Sequence, residues 1–135
     1  MRTAFALMAA VAIAPQVASA HVVRHSSIPE IYWGTWAPGR DACNVDDKAA
    51  FVLSAKAYVG PAGNCSVDYV SETATPKGST YSARLLCPGT GAQKKRTVSN
   101  IIFRSDADGG MSAGSSFAGL KAHRRCSTSD PAAKK

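Results

Sequence analysis

The sequence has few of the short motifs that mark the common catalytic centres of small enzymes, and none in its usual structural context. It contains no H-E-x-x-H, the zinc-protease motif, and its one G-x-S-x-G, at residues 110–114, is not followed by a predicted helix as the nucleophile elbow of serine hydrolases is. The segment "GSSFAG" at residues 114–119 does not have the spacing of a nucleophile elbow. We therefore expect a protein that is not an enzyme and has no catalytic residue.

Cysteine and histidine spacings typical of zinc sites, such as C-x-x-C, are also absent, and the chain has only 3 histidines. The one metal hypothesis depends on a new N-terminus at His21, where a free α-amine and the imidazole ring can chelate Cu(II). His25 follows four residues later and is a second candidate ligand. The alternative is that His21 is an ordinary exposed residue. We expect no cofactor unless copper binds there.

No apolar run is long enough to cross a bilayer as a helix, which takes about 20 residues. An apolar run at residues 4–14 follows Arg2, is ended by Pro15, and is followed by the small residues "ASA" at 18–20. This order is typical of a secretory signal peptide. We expect residues 1–20 to be removed and the protein to be secreted or periplasmic, with no transmembrane segment in the mature chain.

Four cysteines follow the predicted signal, and an even number in a small exported chain indicates disulfides. They are Cys43, Cys65, Cys87 and Cys126. Four cysteines allow three pairings. We favour Cys65–Cys87, which leaves Cys43–Cys126, because of the hairpin described next. On the chain-entropy model each bridge stabilises the domain by roughly 3 to 4.5 kcal/mol.

Residues 65–87 are predicted to form an antiparallel hairpin around the turn-like "TPKG" at residues 75–78. Apolar residues and opposite charges stabilise a hairpin when they face each other across its strands. One register satisfies both conditions: Cys65 faces Cys87, Val67 faces Leu85, Tyr69 faces Ala83, and Asp68 meets Arg84 on the other face.

The remaining segments indicate short strands separated by turns. Residues 50–59, "AFVLSAKAYV", alternate between two faces as one half-buried strand, with Phe51, Leu53, Ala55, Ala57 and Val59 on the same face. A further strand is predicted at residues 96–105, and one or two weak strands after residue 110. We expect an all-β fold, either a small antiparallel barrel or a sandwich, of about six to eight strands.

The predicted domain organisation follows from these boundaries. An N-terminal arm at residues 21–30 follows the signal, the all-β domain occupies residues 31–126, and residues 127–135 form a flexible polar tail. A chain of 135 residues, less the signal, is enough for one domain. We expect a monomer.

Both tryptophans lie in "IYWGTW" at residues 31–36, and the last predicted strand ends with Arg124 and Arg125. The G-x-W formed by Gly34 and Trp36, together with these arginines, resembles the calycin superfamily. Among calycins, the small periplasmic inhibitors of secreted metalloproteases are most similar in length. The resemblance implies a barrel in which Trp36 closes one end, Gly34 allows close approach, and one of the two arginines stacks on the indole. Trp33 would point the other way and be more exposed.

These features predict a non-catalytic binding protein, and three hypotheses are open. The first is recognition of a protein partner, in its sharpest form inhibition of a protease by the N-terminal arm, with His21 and Trp33 at the contact. The second is binding of a ligand in an apolar barrel cavity, or of copper at His21. The third is electrostatic binding to an anionic component of the cell envelope.

The electrostatic hypothesis rests on an excess of basic residues, 16 lysines and arginines against 9 acidic residues. The densest run is Lys94, Lys95 and Arg96. For an exported protein the acidic partners are glycans, lipid head groups or acidic proteins, and we expect no nucleic acid. Net charge provides only non-specific attraction, so the alternative is a solvated basic surface.

Overall fold

The structure of the protein is a computed structural model, which describes residues 11–15, 21–39, 43, 49–89 and 95–126. The predicted signal is therefore described only in part, and the predicted tail at residues 127–135 lies outside the described residues. In the described part of the chain, no helix has the length and apolar character needed to cross a membrane.

Nine strands are found in the described residues, and they form one antiparallel sheet. They are β1 (Val22–His25), β2 (Gly34–Ala37), β3 (Phe51–Leu53), β4 (Ala57–Gly60), β5 (Gly63–Thr75), β6 (Gly78–Cys87), β7 (Thr97–Ser105), β8 (Met111–Gly114) and β9 (Lys121–Arg125). Short 3-10 turns occur at Glu30–Tyr32 and Phe117–Gly119.

Strands β2 to β9 close into an eight-stranded barrel. Each strand pairs with the next one along the chain, and β9 completes the ring by pairing with β2. This order defines an up-and-down barrel. The predicted all-β fold is confirmed, and of its two alternatives the chain adopts the barrel.

Strand β1 lies outside the ring and pairs with the second half of β5, where Val22 faces Thr73. A few residues later Ile28 is 1% exposed, and its amide donates to the carbonyl of Ala55 at 2.9 Å. Burial of this apolar side chain anchors the segment. Part of the predicted arm is thus packed on the barrel, and the folded unit begins before residue 31, where we placed its start.

The single strand predicted at residues 50–59 is wrong, because β3 and β4 are separated by a reversal of the chain. The amide of Ser54 donates to the carbonyl of Ala57 at 3.0 Å across this turn. The reversal changes which residues face inward in the second half. Tyr58 is therefore buried, whereas Val59, which we placed on the buried face, is exposed.

Strands β5 and β6 form the predicted hairpin, and Val67 faces Leu85 as expected. The register then shifts by one residue, so that Tyr69 faces Arg84 and not Ala83. This is the effect of a β-bulge, which inserts one extra residue into one strand. Asp68 still contacts its predicted partner, with Oδ2 3.3 Å from Nε of Arg84.

Both predicted disulfides, Cys65–Cys87 and Cys43–Cys126, are confirmed, and all four cysteines are used. The first joins the paired ends of β5 and β6. The second ties the segment before β3 to the end of β9, where Cys126 and Ala37 form a small buried cluster separate from the main core. Ala37 is not in the main core because it follows the inward-facing Trp36 and points to the outer face.

Candidate functional site

One end of the barrel, called here the closed end, is covered by Trp36. Its indole is 2% exposed, and Nε1 donates to the carbonyl of Tyr32 at 2.9 Å. The guanidinium carbon of Arg125 lies 4.4 Å from the centroid of the indole ring. The same guanidinium donates to the carbonyls of Ile31 and Trp33. It therefore stacks on the indole and binds the chain segment that leads into β2.

Gly34 provides the space for this guanidinium. Its φ of +128° is a conformation that L side chains rarely adopt, and a Cβ atom there would lie 2.8 Å from Nη1 of Arg125. The sequence did not decide which of Arg124 and Arg125 stacks on the indole of Trp36, and the structure shows that it is Arg125. Arg124 faces Ala37 on the outer side of the sheet.

The exposed aromatic residue at the closed end is Trp33, which is 38% exposed. Its Nε1 donates to the carbonyl of Ile28 at 2.8 Å, so the indole has a fixed position. Ile31, two residues earlier, is 65% exposed. Together they form an apolar surface beside the covered end of the barrel.

The other end of the barrel, called here the open end, contains a cavity of about 430 Å³. Ligand sites in proteins commonly have volumes of about 300–1,000 Å³. The inner wall is mostly apolar and includes Phe51, Tyr58, Leu85, Ile101 and Ala113. Trp36 does not line this cavity, because buried core side chains fill the barrel between it and the open end.

One side of the cavity is basic because of the sequence "KAHRR" in β9. Alternate residues of a strand point to the same face. Lys121 faces the buried Ala113, and His123 faces the buried Met111, so both side chains are directed into the barrel. Arg125 is the next residue on this face and is occupied by the contact with Trp36. Among the described residues that line the cavity, none is Asp or Glu.

His123 has a defined orientation. Its Nδ1 donates to the carbonyl of Lys121 at 2.7 Å, and its ring packs edge-on against Phe51 with centroids 5.1 Å apart. A carbonyl oxygen only accepts hydrogen bonds, so this contact assigns the proton of the neutral ring to Nδ1. Within the described part of the chain Nε2 has no hydrogen-bond partner, and in this tautomer it can accept a hydrogen bond from a donor of a bound group.

Tyr58 provides the second polar atom of the inner wall. Its ring stacks on Phe51, with centroids 5.8 Å apart and an angle of 22° between the planes. Burial raises the pKa of the Tyr58 phenol above its ordinary value, and a hydrogen bond with the backbone of Ala62 acts in the opposite direction. The phenol is therefore uncharged at neutral pH, which keeps the wall free of negative charge.

A second polar cluster lies where β1 meets β5 and β6. Nε2 of His25 is 2.6 Å from Oε2 of Glu72, while Ser79 and Tyr81 donate to Oε1 at 2.7 Å and 3.2 Å. The hydrogen bond from Ser79, followed by that from His25, lowers the pKa of Glu72. Burial and the charge of Glu72 raise the pKa of Tyr81. This cluster fastens β1 to the barrel.

The residues predicted to bind metal are not gathered into a cluster. His21 is exposed just before β1, and His25 contacts Glu72. Four residues of extended chain separate them by about 13 Å. In the described ranges, no three His, Cys, Asp or Glu side chains lie close enough to hold an ion. Copper binding by the amine and ring of His21 alone stays a prediction.

The predicted basic run is described only in part, since Lys94 lies outside the described residues. Lys95 and Arg96 are exposed and directly precede β7. Ser99 and Asn100 of that strand line the cavity, so the run leads towards the open end. Lys121 and His123 were not predicted as a pair. The available signal was the alternation of basic residues in "KAHRR".

Comparison with known proteins adds no further assignment, because no family model, curated protein or solved structure matches this chain. The geometry of the cavity and of the closed end is therefore the basis for the functional interpretation.

Proposed function

We propose that the protein is a non-catalytic binding protein that holds a small, largely apolar ligand in the open end of its barrel. The cavity of about 430 Å³ carries this proposal. It is lined by the apolar side chains of Leu85, Ile101 and Ala113, which belong to the buried core of the barrel. Apolar walls with a few polar groups are typical of small-molecule sites.

The calycin resemblance and export belong to the same proposal. A closed eight-stranded barrel supports the resemblance, as does the stacking of Arg125 on Trp36. Two disulfides support an oxidising compartment, secreted or periplasmic, because such bonds are rare in the cytosol. We propose a monomer in that compartment.

Recognition of a protein partner is the second candidate. The apolar surface formed by Ile31 and Trp33 favours it, because exposed aromatic residues are enriched at interfaces. Inhibition of a protease by an inserted arm has less support. Val22–His25 is hydrogen-bonded to β5, and Ile28 is buried, so this segment would have to leave the barrel to enter a cleft.

The ligand proposal is tested by titrating the oxidised protein with Nile red, an uncharged dye whose fluorescence rises in apolar surroundings. We expect saturable binding at one site. The variant Ala113→Leu adds side-chain volume inside the cavity and should abolish this binding. The control Ala122→Leu makes the same change on the exposed outer face of β9 and should leave it intact.

Two outcomes would overturn the proposal. One is the absence of saturable dye binding by protein with both disulfides formed. The other is equal binding by wild type and Ala113→Leu, which would place the dye outside the barrel. Unfolding curves of both variants, recorded by circular dichroism, verify that each is folded.

A further inference from the structure

We infer that the ligand of this cavity is a single-chain amphiphile with an anionic head group, which Lys121 binds at the mouth with His123 below it. This inference rests on the proposed function, because it assumes that the open end of the barrel is a ligand site. It adds the sign of the charge, the position of the head group and the direction in which the chain enters.

The charge distribution carries the first step. Lys121 and His123 line the cavity, and none of the described lining residues is acidic. The apolar wall reduces screening by water, so a cation at its edge attracts an anion more strongly than the same cation on an open surface. The described lining is thus complementary to a negative group.

The order of residues along β9 carries the second step. Lys121 is the first residue of the strand and is exposed, whereas His123 is two residues deeper and partly buried. Two residues of a strand correspond to about 7 Å. Arg125, deeper again, donates to the carbonyls of Ile31 and Trp33 and stacks on Trp36. Among the basic residues on the inner face of β9, Lys121 at the mouth is therefore the cation available to a ligand.

The apolar wall fixes the direction of the chain. Leu85, Ile101 and Ala113 lie on the inner surface and are buried, and the rings of Phe51 and Tyr58 stack beside them. Transfer of each methylene group from water to such a surface contributes about 0.8 kcal/mol. The hydrocarbon chain therefore enters first, and the head group remains beside Lys121.

The test compares three ligands that share a ten-carbon chain and differ in charge: decanoate, decanol and decyltrimethylammonium. Each is titrated below its micelle-forming concentration by displacement of Nile red. We expect decanoate to bind about tenfold more tightly than decanol, the ratio expected of one charge-assisted hydrogen bond. Decyltrimethylammonium should bind most weakly.

Three variants locate the charge that is responsible. Lys121→Gln should lower the affinity for decanoate to that for decanol and leave decanol binding unchanged. Arg124→Gln removes the same charge from the outer face of the same strand and should change neither affinity. Lys121→Glu should invert the order and favour the cation.

The inference is overturned if decanol binds as tightly as decanoate, or if Arg124→Gln weakens decanoate as much as Lys121→Gln does. The first result would mean that the head group makes no contact, and the second that only net charge matters. Either result, obtained with saturable Nile red binding, leaves the proposed function standing. If neither Nile red nor any of the three ligands binds, the proposed function itself is wrong.

Discussion

His25 and Glu72 are joined by a contact of 2.6 Å between Nε2 and Oε2, which links β1 to the strand beside it. Ser79 and Tyr81 donate to the other oxygen of the same carboxylate. Two residues of β6 and one of β1 therefore share a partner on β5. The Glu72 carboxylate holds β1 against the barrel.

The first prediction concerns the pH dependence of stability. The pKa of Glu72 is lower in the folded state than the ordinary pKa of a glutamate, mainly because of the hydrogen bonds from Ser79 and His25. The stability that this carboxylate contributes is present above its unfolded pKa and is lost as the pH falls through the lower folded value. We expect the melting temperature of the wild type to fall below pH 5, and that of Glu72→Gln to fall less.

Melting curves between pH 7 and pH 3 check this expectation. Glu30→Gln, a change at an exposed carboxylate before β2, is the control and should follow the wild type. Identical acid profiles for the wild type and Glu72→Gln would show that the cluster does not contribute to acid sensitivity.

The second prediction concerns the guanidinium at the closed end. Arg125→Lys keeps the charge but removes the planar group that stacks on Trp36 and donates to two carbonyls. We expect the free energy of unfolding in urea to fall by about 1–2 kcal/mol. Arg124→Lys, on the outer face, should change it by less than about 0.5 kcal/mol. Equal effects of the two substitutions would contradict the assignment of Arg125.

The third prediction concerns Gly34. An alanine there would have to adopt φ near +128° and place Cβ 2.8 Å from Nη1 of Arg125. We expect Gly34→Ala to lower the free energy of unfolding by about 1–3 kcal/mol. The control is Gly39→Ala, where an added Cβ meets nothing within 4 Å. If both substitutions have the same small effect, the backbone at Gly34 is not constrained as described.

The fourth prediction ranks the two disulfides. Cys43–Cys126 spans 83 residues and Cys65–Cys87 spans 22. Loop-closure entropy then predicts that removing the longer bridge by paired alanine substitutions lowers stability by about 4.5 kcal/mol, and removing the shorter by about 3 kcal/mol. Denaturant unfolding of both double variants measures the difference. A larger loss for Cys65–Cys87 would mean that local packing, and not loop length, dominates.

The sequence predicted the parts of the fold that depend on local patterns. The hairpin of β5 and β6 could be found because facing apolar residues and a central turn agree on one register near Cys65 and Cys87. The bulge after Val67 was not predictable, since Ser66 and Asp68 give no glycine signal for it. The turn between β3 and β4 was missed for a similar reason, because "SAK" contains only serine, whose turn-forming tendency is weaker than that of glycine, proline or asparagine.

The candidate site was predicted less well because it depends on contacts between distant residues. Trp36 and its arginine were identified through a resemblance, although their contact joins opposite ends of the chain. The cavity exists only once the ring is closed. Phe51 and Lys121, both in its wall, are far apart in the sequence and share no pattern that would place them together.

The order of the strands has a consequence for how the barrel forms. Seven of its eight pairings join consecutive strands, and only the pairing of β2 with β9 closes a loop that spans nearly the whole barrel. Such a closure has the largest entropic cost and is expected late in folding. Both Cys126 and Arg125 lie at this junction. The Cys43–Cys126 disulfide and the stacked Arg125 therefore stabilise the strand pairing whose closure costs a free polypeptide the most entropy.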